Sequence, residues 1–228
     1  MTTRIGFLLF PDIQQLDLTG PYDVLASLPD VSVHLIWKTL EPITSSTGLR
    51  LLPNTLMDDC PPLDVLCVPG GAGVEPLMED APTLAFLRAQ AADARYVTSV
   101  CTGSLVLGAA GLLAGRRATT HWAYHALLAP LGAIPVQARV VRDGNLITGG
   151  GITAGIDFAL TLAAELVGEQ AAQVLQLALE YAPAPPFDSG SPATASADVL
   201  ALARSRAAPS LVTRTAVVDR IVAQWQLR

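Results

Sequence analysis

The sequence predicts an α/β fold, a mostly parallel central sheet with helices on both faces. Three observations carry that expectation. Short β-branched apolar runs alternate with longer helix-compatible segments along most of the chain. Two of the runs, at 5–10 and 64–68, are almost wholly apolar, as strands buried on both faces are. Glycine-rich turns, at Gly70, Gly103 and Gly149, follow later strand-like runs and open into helix-like ones.

In order along the chain, 5–10 is a buried strand and Thr19-Gly20-Pro21 opens a helix to about Leu28, with proline near its first position. Residues 31–37 form a second strand. The 43–52 segment, with Gly48 between two short runs, reads as a hairpin. A third core strand at 64–68 ends in Pro69-Gly70-Gly71-Ala72-Gly73, and 83–94 is a helix. The strand at 96–100 runs into Cys101, and the helix at 102–110 is stopped by Gly111. Residues 121–128 are helical. Runs at 136–141 and 145–148 pair across Asp143-Gly144, a strong hairpin signal. Gly149-Gly150-Gly151 precedes a long helix at 153–167. Ala182-Pro183-Ala184-Pro185-Pro186 marks a boundary between a domain at 1–188 and an extension at 189–228. The extension is small and polar to residue 195, then helical at 195–207 and 212–226. It is too short for a core of its own and is expected to pack on the domain or on a partner subunit.

The chain has 228 residues, 51% hydrophobic and 15% charged, enough for a full core. A net charge of −6 argues against nucleic acid, which needs a basic face. Three widely spaced cysteines make neither a disulfide framework nor a metal motif, and fit a reducing compartment. The apolar run at 5–10 is too short for a secretory core, and the one near 156–166 is broken by Asp157 and Glu165. A cytoplasmic protein that binds neither nucleic acid nor membrane is expected.

The reactive feature is Val100-Cys101-Thr102-Gly103-Ser104, a thiol on a tight strand-to-helix turn. Near a helix N-terminus, the dipole and free N–H groups favour the thiolate, which is the nucleophile. Free cysteine more often simply packs. Cys67, inside an apolar strand, and Cys60, beside Pro61-Pro62, read that way. Asp17, in Leu16-Asp17-Leu18-Thr19-Gly20-Pro21, is either a helix-start residue or an acid/base group whose pKa burial and a nearby thiolate would raise. Asp12 and Asp17, Gly70-Gly71 and Cys101 all follow strand ends, where ligands bind in such sheets. Gly70-Gly71-Ala72-Gly73 could expose N–H groups to developing negative charge, or form a plain turn, and lacks a phosphate loop's lysine. Gly149-Gly150-Gly151 serves a close backbone approach or a turn. His34 is expected to be exposed on the second strand. His121 and His125 share a helix face, but no third ligand accompanies them as zinc would need.

Val100-Cys101-Thr102-Gly103-Ser104, Leu107-Gly108-Ala109-Ala110-Gly111 and Ala118-Thr119-Thr120-His121-Trp122 resemble the ThiJ/PfpI superfamily, whose fold is like that of class I glutamine amidotransferases. With Gln14-Gln15-Leu16-Asp17, Gly149-Gly150-Gly151-Ile152-Thr153 and Glu180-Tyr181-Ala182-Pro183, they look most like the branch that includes isocyanide hydratases and the ligand domains of AraC-like regulators. The resemblance covers about residues 4–207 and implies a flavodoxin-like three-layer sandwich and a homodimer. It implies a small-molecule isocyanide substrate, hydrated to an N-substituted formamide through a thioimidate on Cys101. Asp17 would be the acid/base partner, where many members carry glutamate. Thr102 would help hold the site. The N–H groups of Gly71 and Thr102 would form the oxyanion hole, and Gly150 and Ile152 would lie on the substrate side. No metal or organic cofactor is implied. Thr102 stands where several related hydrolases carry histidine, which argues against peptide hydrolysis. The rivals are a glyoxalase- or deglycase-like activity of the same superfamily, a ligand sensor related to AraC-type regulators, and a redox sensor at Cys101.

Overall fold

The computed structural model describes residues 2–227. Its elements are β1 (Thr3–Leu8), α1 (Gln15–Ala26), β2 (Val31–Trp37), β3 (Ile43–Thr44), β4 (Arg50–Leu51), β5 (Thr55–Leu56), β6 (Val65–Val68), α2 (Val74–Leu77), α3 (Ala81–Asp93), β7 (Tyr96–Val100) and α4 (Gly103–Ala109). Then follow β8 (Arg117–Ala118), a 3-10 segment (Trp122–Leu127), β9 (Ile134–Pro135), β10 (Val140–Asp143), β11 (Leu146–Gly149), α5 (Ala154–Val167), α6 (Glu169–Ala178) and α7 (Ala197–Gln226).

Seven strands form one sheet in the order β10-β11-β7-β6-β1-β2-β5. Every pairing in it is parallel except β10 with β11. β1, β6 and β7 are central, and the side chains of β6 and β7 are buried throughout, which is why their sequences are apolar rather than alternating. α1 and α5 pack together as one layer, and α3 and α4 pack against β6 and β7 as the other. Gly20 and Gly155 permit the close approach of α1 and α5. A Cβ on Gly155 would lie 3.1 Å from the Pro21 ring, and one on Gly20 would lie 3.2 Å from Ile156. The chain reverses its direction of travel across the sheet between β1 and β6, so their carboxyl ends open a crevice at a topological switch point.

Several elements differ from expectation. α1 begins at Gln15 rather than at Thr19, and Pro21 lies inside it against α5. α6 follows α5 after Gly168 turns the chain at φ +93°. Almost all of its surface is exposed, with Ala172 its buried residue. The two expected tail helices are one, α7, running through Pro209. Proline removes one backbone donor, and docking of Val217, Val218 and Ile221 keeps the helix continuous beyond it. His34 is half-buried, not exposed, because the short edge strand β5 covers it and Thr55 Oγ1 lies 3.0 Å from Nδ1.

Candidate active site

Cys101 is the first of the two turn residues, Cys101 and Thr102, between β7 and α4, and it adopts φ +54°. A non-glycine residue in the left-handed region is uncommon and persists only when its surroundings over-determine it. They do so here. The Cys101 N–H donates to the Gly149 carbonyl at 3.1 Å. The Cys101 carbonyl accepts from Thr120 Oγ1 at 2.9 Å and from Ser104 Oγ at 3.2 Å. Gly103 lets the turn lie directly on the end of β6, since any Cβ there would fall on the Val68 and Pro69 carbonyl oxygens.

Asp17 comes from the first turn of α1 and has no solvent exposure. Its Oδ2 accepts the Gly70 N–H at 2.9 Å. Its Oδ1 is buried without a hydrogen-bond partner among the described residues. Burial lifts the carboxyl from its ordinary 3.8 to about 7, against smaller opposing pulls from the Gly70 N–H and the Cys101 thiol. Cys101 is 6% exposed. Its thiol is pushed well above the usual value, first by burial and second by the Asp17 carboxylate, with the Thr102 N–H and Arg214 pulling the other way. Burial and the carboxylate thus oppose the thiolate preference expected at the helix N-terminus. The Thr102 amide does favour the anion, but burial and a neighbouring carboxylate outweigh it.

Thr102, 2% exposed, bridges two loops. Its Oγ1 accepts the Gly71 N–H at 3.1 Å. The Gly71 amide, expected to face substrate, is thus occupied by the threonine hydroxyl, while the Thr102 amide pulls the Cys101 thiol toward its anion. Gly71 itself sits at φ +146°, where a Cβ would strike the Asp12 carbonyl and the Gln14 amide, so glycine is required. Asp12, the other acid after β1, is exposed and its backbone is spent on the β3–β4 hairpin and Gly73.

Gly150 and Ile152 line a cavity of about 680 Å³ together with Thr120, His121, Trp122 and Arg204. Cys101 is not on its wall; Thr120, which donates to the Cys101 carbonyl, is on it, as is Gly150, which follows the Gly149 whose carbonyl accepts the Cys101 N–H. His121 Nδ1 accepts the Ala123 N–H at 3.3 Å, which leaves the ring proton on Nε2, and burial holds its pKa below the ordinary histidine value. Cys67 is fully buried and pushed up to about 12, and Cys60 to about 11, both by desolvation. Among the described residues no three His, Cys, Asp or Glu side chains converge as metal ligands would.

Two contributors escaped the sequence reading. Thr120 supports the strained cysteine from a loop nineteen positions away. Arg214 reaches the Gly71 carbonyl from α7. Its signal was present in the stripe Leu211, Arg214, Val218, Ile221, where helical spacing places one cation on an apolar face.

A family model described as the DJ-1/PfpI family matches residues 3–165. The chain is 74% identical over 228 residues, the full length of both, to an isonitrile hydratase of Pseudomonas putida. A ThiJ/PfpI family protein from Pseudomonas syringae is 44% identical in sequence and superposes with a TM-score of 0.94, covering 96% of this chain and 91% of its own. The HTH-type transcriptional regulator GbdR of Pseudomonas aeruginosa is 32% identical over 185 residues, which are 77% of this chain but 48% of the regulator.

Proposed function

The chain belongs to the DJ-1/PfpI family, and we propose that it adds water to isonitriles (isocyanides) to give N-substituted formamides, with Cys101 as the nucleophile and Asp17 as its acid/base partner. It is a cysteine-dependent hydro-lyase. The observation that carries this reading is full-length likeness to an isonitrile hydratase in a chain whose sheet crevice buries an acid against a thiol.

The geometry supports a one-proton relay. Around neutral pH the thiol holds its proton, and Asp17, poised near 7, is divided between acid and carboxylate. The carboxylate takes the thiol proton as sulfur attacks the terminal carbon of the isonitrile. Asp17 then gives that proton to the same carbon, which now carries hydrogen and sulfur in a thioimidate, R–N=CH–S–Cys101. Water attacks this carbon, and Asp17 takes one proton from it and passes that proton to the nitrogen, giving R–NH–CH(OH)–S–Cys101. Collapse of the adduct forms the formamide C=O, breaks the C–S bond and sends the hydroxyl proton, through Asp17, to the departing sulfur. No amine departs, so the strong imidazole shuttle of a peptidase is not needed. A carboxyl near 7 serves equally as base and acid at neutral pH. The Thr102 amide stabilises the sulfur anion, and Thr102 Oγ1 fixes the Gly70-Gly71 loop that orients Asp17. Gly150 and Ile152, on one cavity wall with Thr120, would border the substituent on nitrogen.

The same reading takes residues 1–188 as the catalytic domain and 189–228 as an extension docked on it. It places the protein in the cytoplasm, where its three cysteines stay free. Among the described residues no helix is long and apolar enough to cross a membrane. It also pairs two copies in a homodimer, for which Leu16, Val174, Leu177 and Leu179 offer exposed apolar surface on and beside α1 and α6. The test is ultraviolet absorbance of an aryl isonitrile incubated with the wild type and with Cys101→Ala and Asp17→Asn. Formamide production lost in Cys101→Ala supports the reading. Wild-type protein, intact and reduced, that turns over neither aryl nor alkyl isonitriles would refute it.

A further inference from the structure

The C-terminal helix places a buried cation behind the active site. Arg214 on α7 is 4% exposed, a rare position for an arginine unless it is held. Three groups, from α2, the loop after β6 and the 3-10 segment, hold it. Its Nε donates to Glu75 Oε1 on α2 at 3.2 Å. A terminal guanidinium nitrogen donates to the Gly71 carbonyl at 2.9 Å. Its plane lies over the Tyr124 ring, 4.1 Å from the centroid. Tyr124 is itself tied to α7, with its hydroxyl 2.6 Å from Ser210 Oγ.

We propose that Arg214 is a positioning residue for the reaction: it clamps the Gly71 peptide that orients Thr102 and Asp17, and it supplies the positive charge that makes the Cys101 anion accessible. Gly71 is gripped on both sides, its N–H by Thr102 Oγ1 and its carbonyl by Arg214. The preceding amide, Gly70 N–H, holds Asp17 Oδ2. The path from α7 to the acid and the thiol is thus continuous and runs through backbone. The charge argument points the same way. Arg214 pulls the thiol toward its anion and pushes His121 toward its neutral form. The charged groups acting on Cys101 are Asp17 from α1 and Arg214 from α7, of opposite sign. Among the described residues Glu75 is the one carboxylate paired with Arg214, by a single contact, and its side chain is 24% exposed. That leaves the buried cation only partly neutralised. α7 is therefore part of the catalytic apparatus rather than a passive cover.

The proposal rests on Cys101 being the nucleophile, but its test reads the thiol without any isonitrile. The pH midpoint of iodoacetamide alkylation of Cys101 is measured in wild type, Arg214→Met, Arg214→Lys and Glu75→Gln. Intact folding is checked by circular dichroism, and kcat and KM are measured alongside. Loss of the cation in Arg214→Met raises the midpoint and slows alkylation at pH 7 about tenfold, the equivalent of one pKa unit. Its kcat falls by a similar factor with KM within about twofold. Arg214→Lys keeps the charge and stays near the wild-type midpoint, while its kcat falls because an ammonium cannot serve Glu75, Gly71 and the Tyr124 face in one plane. Glu75→Gln removes the counter-ion and lowers the midpoint, an opposite displacement that mere loosening of the fold does not produce. If Arg214→Met fails to fold, the other two variants decide. A Glu75→Gln midpoint that is unmoved or raised, or an Arg214→Lys variant with wild-type kcat and a displaced midpoint, overturns the proposal.

Discussion

Asp17 imposes a pH-dependent cost on the fold that one substitution should remove. The carboxyl is wholly buried and its pKa is lifted from 3.8 to about 7. Because the folded value is the higher one, the native state keeps a proton that the unfolded chain releases between those limits. The cost is absent below about pH 4, grows by about 1.36 kcal/mol for each pH unit, and levels off above about pH 7. Its full size is roughly 4 kcal/mol, of which about 3 falls between pH 5 and pH 8. Asp17→Asn keeps an oxygen to accept the Gly70 N–H but cannot ionise. Urea unfolding at pH 5 and pH 8 measures the effect as a difference of differences, in which other titrating groups cancel. The variant should gain about 3 kcal/mol on wild type over that interval, roughly 1 M or more in urea midpoint. The same variant should be nearly inactive, a trade of stability for a working acid/base group. Parallel stability curves for the two proteins would refute the claim that burial perturbs this carboxyl.

Four further outcomes follow from the same geometry. The rate kcat/KM of the wild type should rise with pH through an inflection near 7 as Asp17 ionises, and stopped assays from pH 5 to 9 should find that inflection missing in Asp17→Asn. Thr102→Val removes the acceptor of the Gly71 N–H in a buried site and should cost about 1–3 kcal/mol in urea unfolding and at least about tenfold in kcat. Gly103→Ala drives a methyl into the Val68 and Pro69 carbonyls and should cost about 3 kcal/mol or prevent folding, read by thermal denaturation. Light scattering should return twice the mass of one 228-residue chain, and a charge introduced by Leu177→Glu on the exposed face of α6 should shift it toward one.

What was legible in the sequence was whatever local chemistry dictates. The alternation of buried strands with helices required layers, and the thiol on a strand-to-helix turn marked its own position. Asp17, Gly70, Cys101 and Thr102 follow strand ends, and the switch between β1 and β6 is what brings them together. The electrostatics were less legible. A helix N-terminus suggested a thiolate, yet whether an amide or a carboxylate dominates depends on burial, which only the assembled fold sets. The role of Gly71 changed for a similar reason, since its amide is claimed by a side chain thirty-one positions away. α7 is one helix where the sequence suggested two, at 195–207 and 212–226; it runs through Pro209, with Val217, Val218 and Ile221 docked beyond it. Arg214 was overlooked although its place in the apolar stripe was visible, because its partners Glu75, Gly71 and Tyr124 are remote in sequence.

The most direct test of the central claim is rapid-quench intact-mass spectrometry of the protein mixed with an excess of an aryl isonitrile, with formamide quantified in the same samples. The account predicts a transient adduct heavier by the whole mass of the isonitrile, located on the Cys101 peptide, together with complete loss of adduct and product in Cys101→Ala. Formamide produced at the wild-type rate by Cys101→Ala would contradict it.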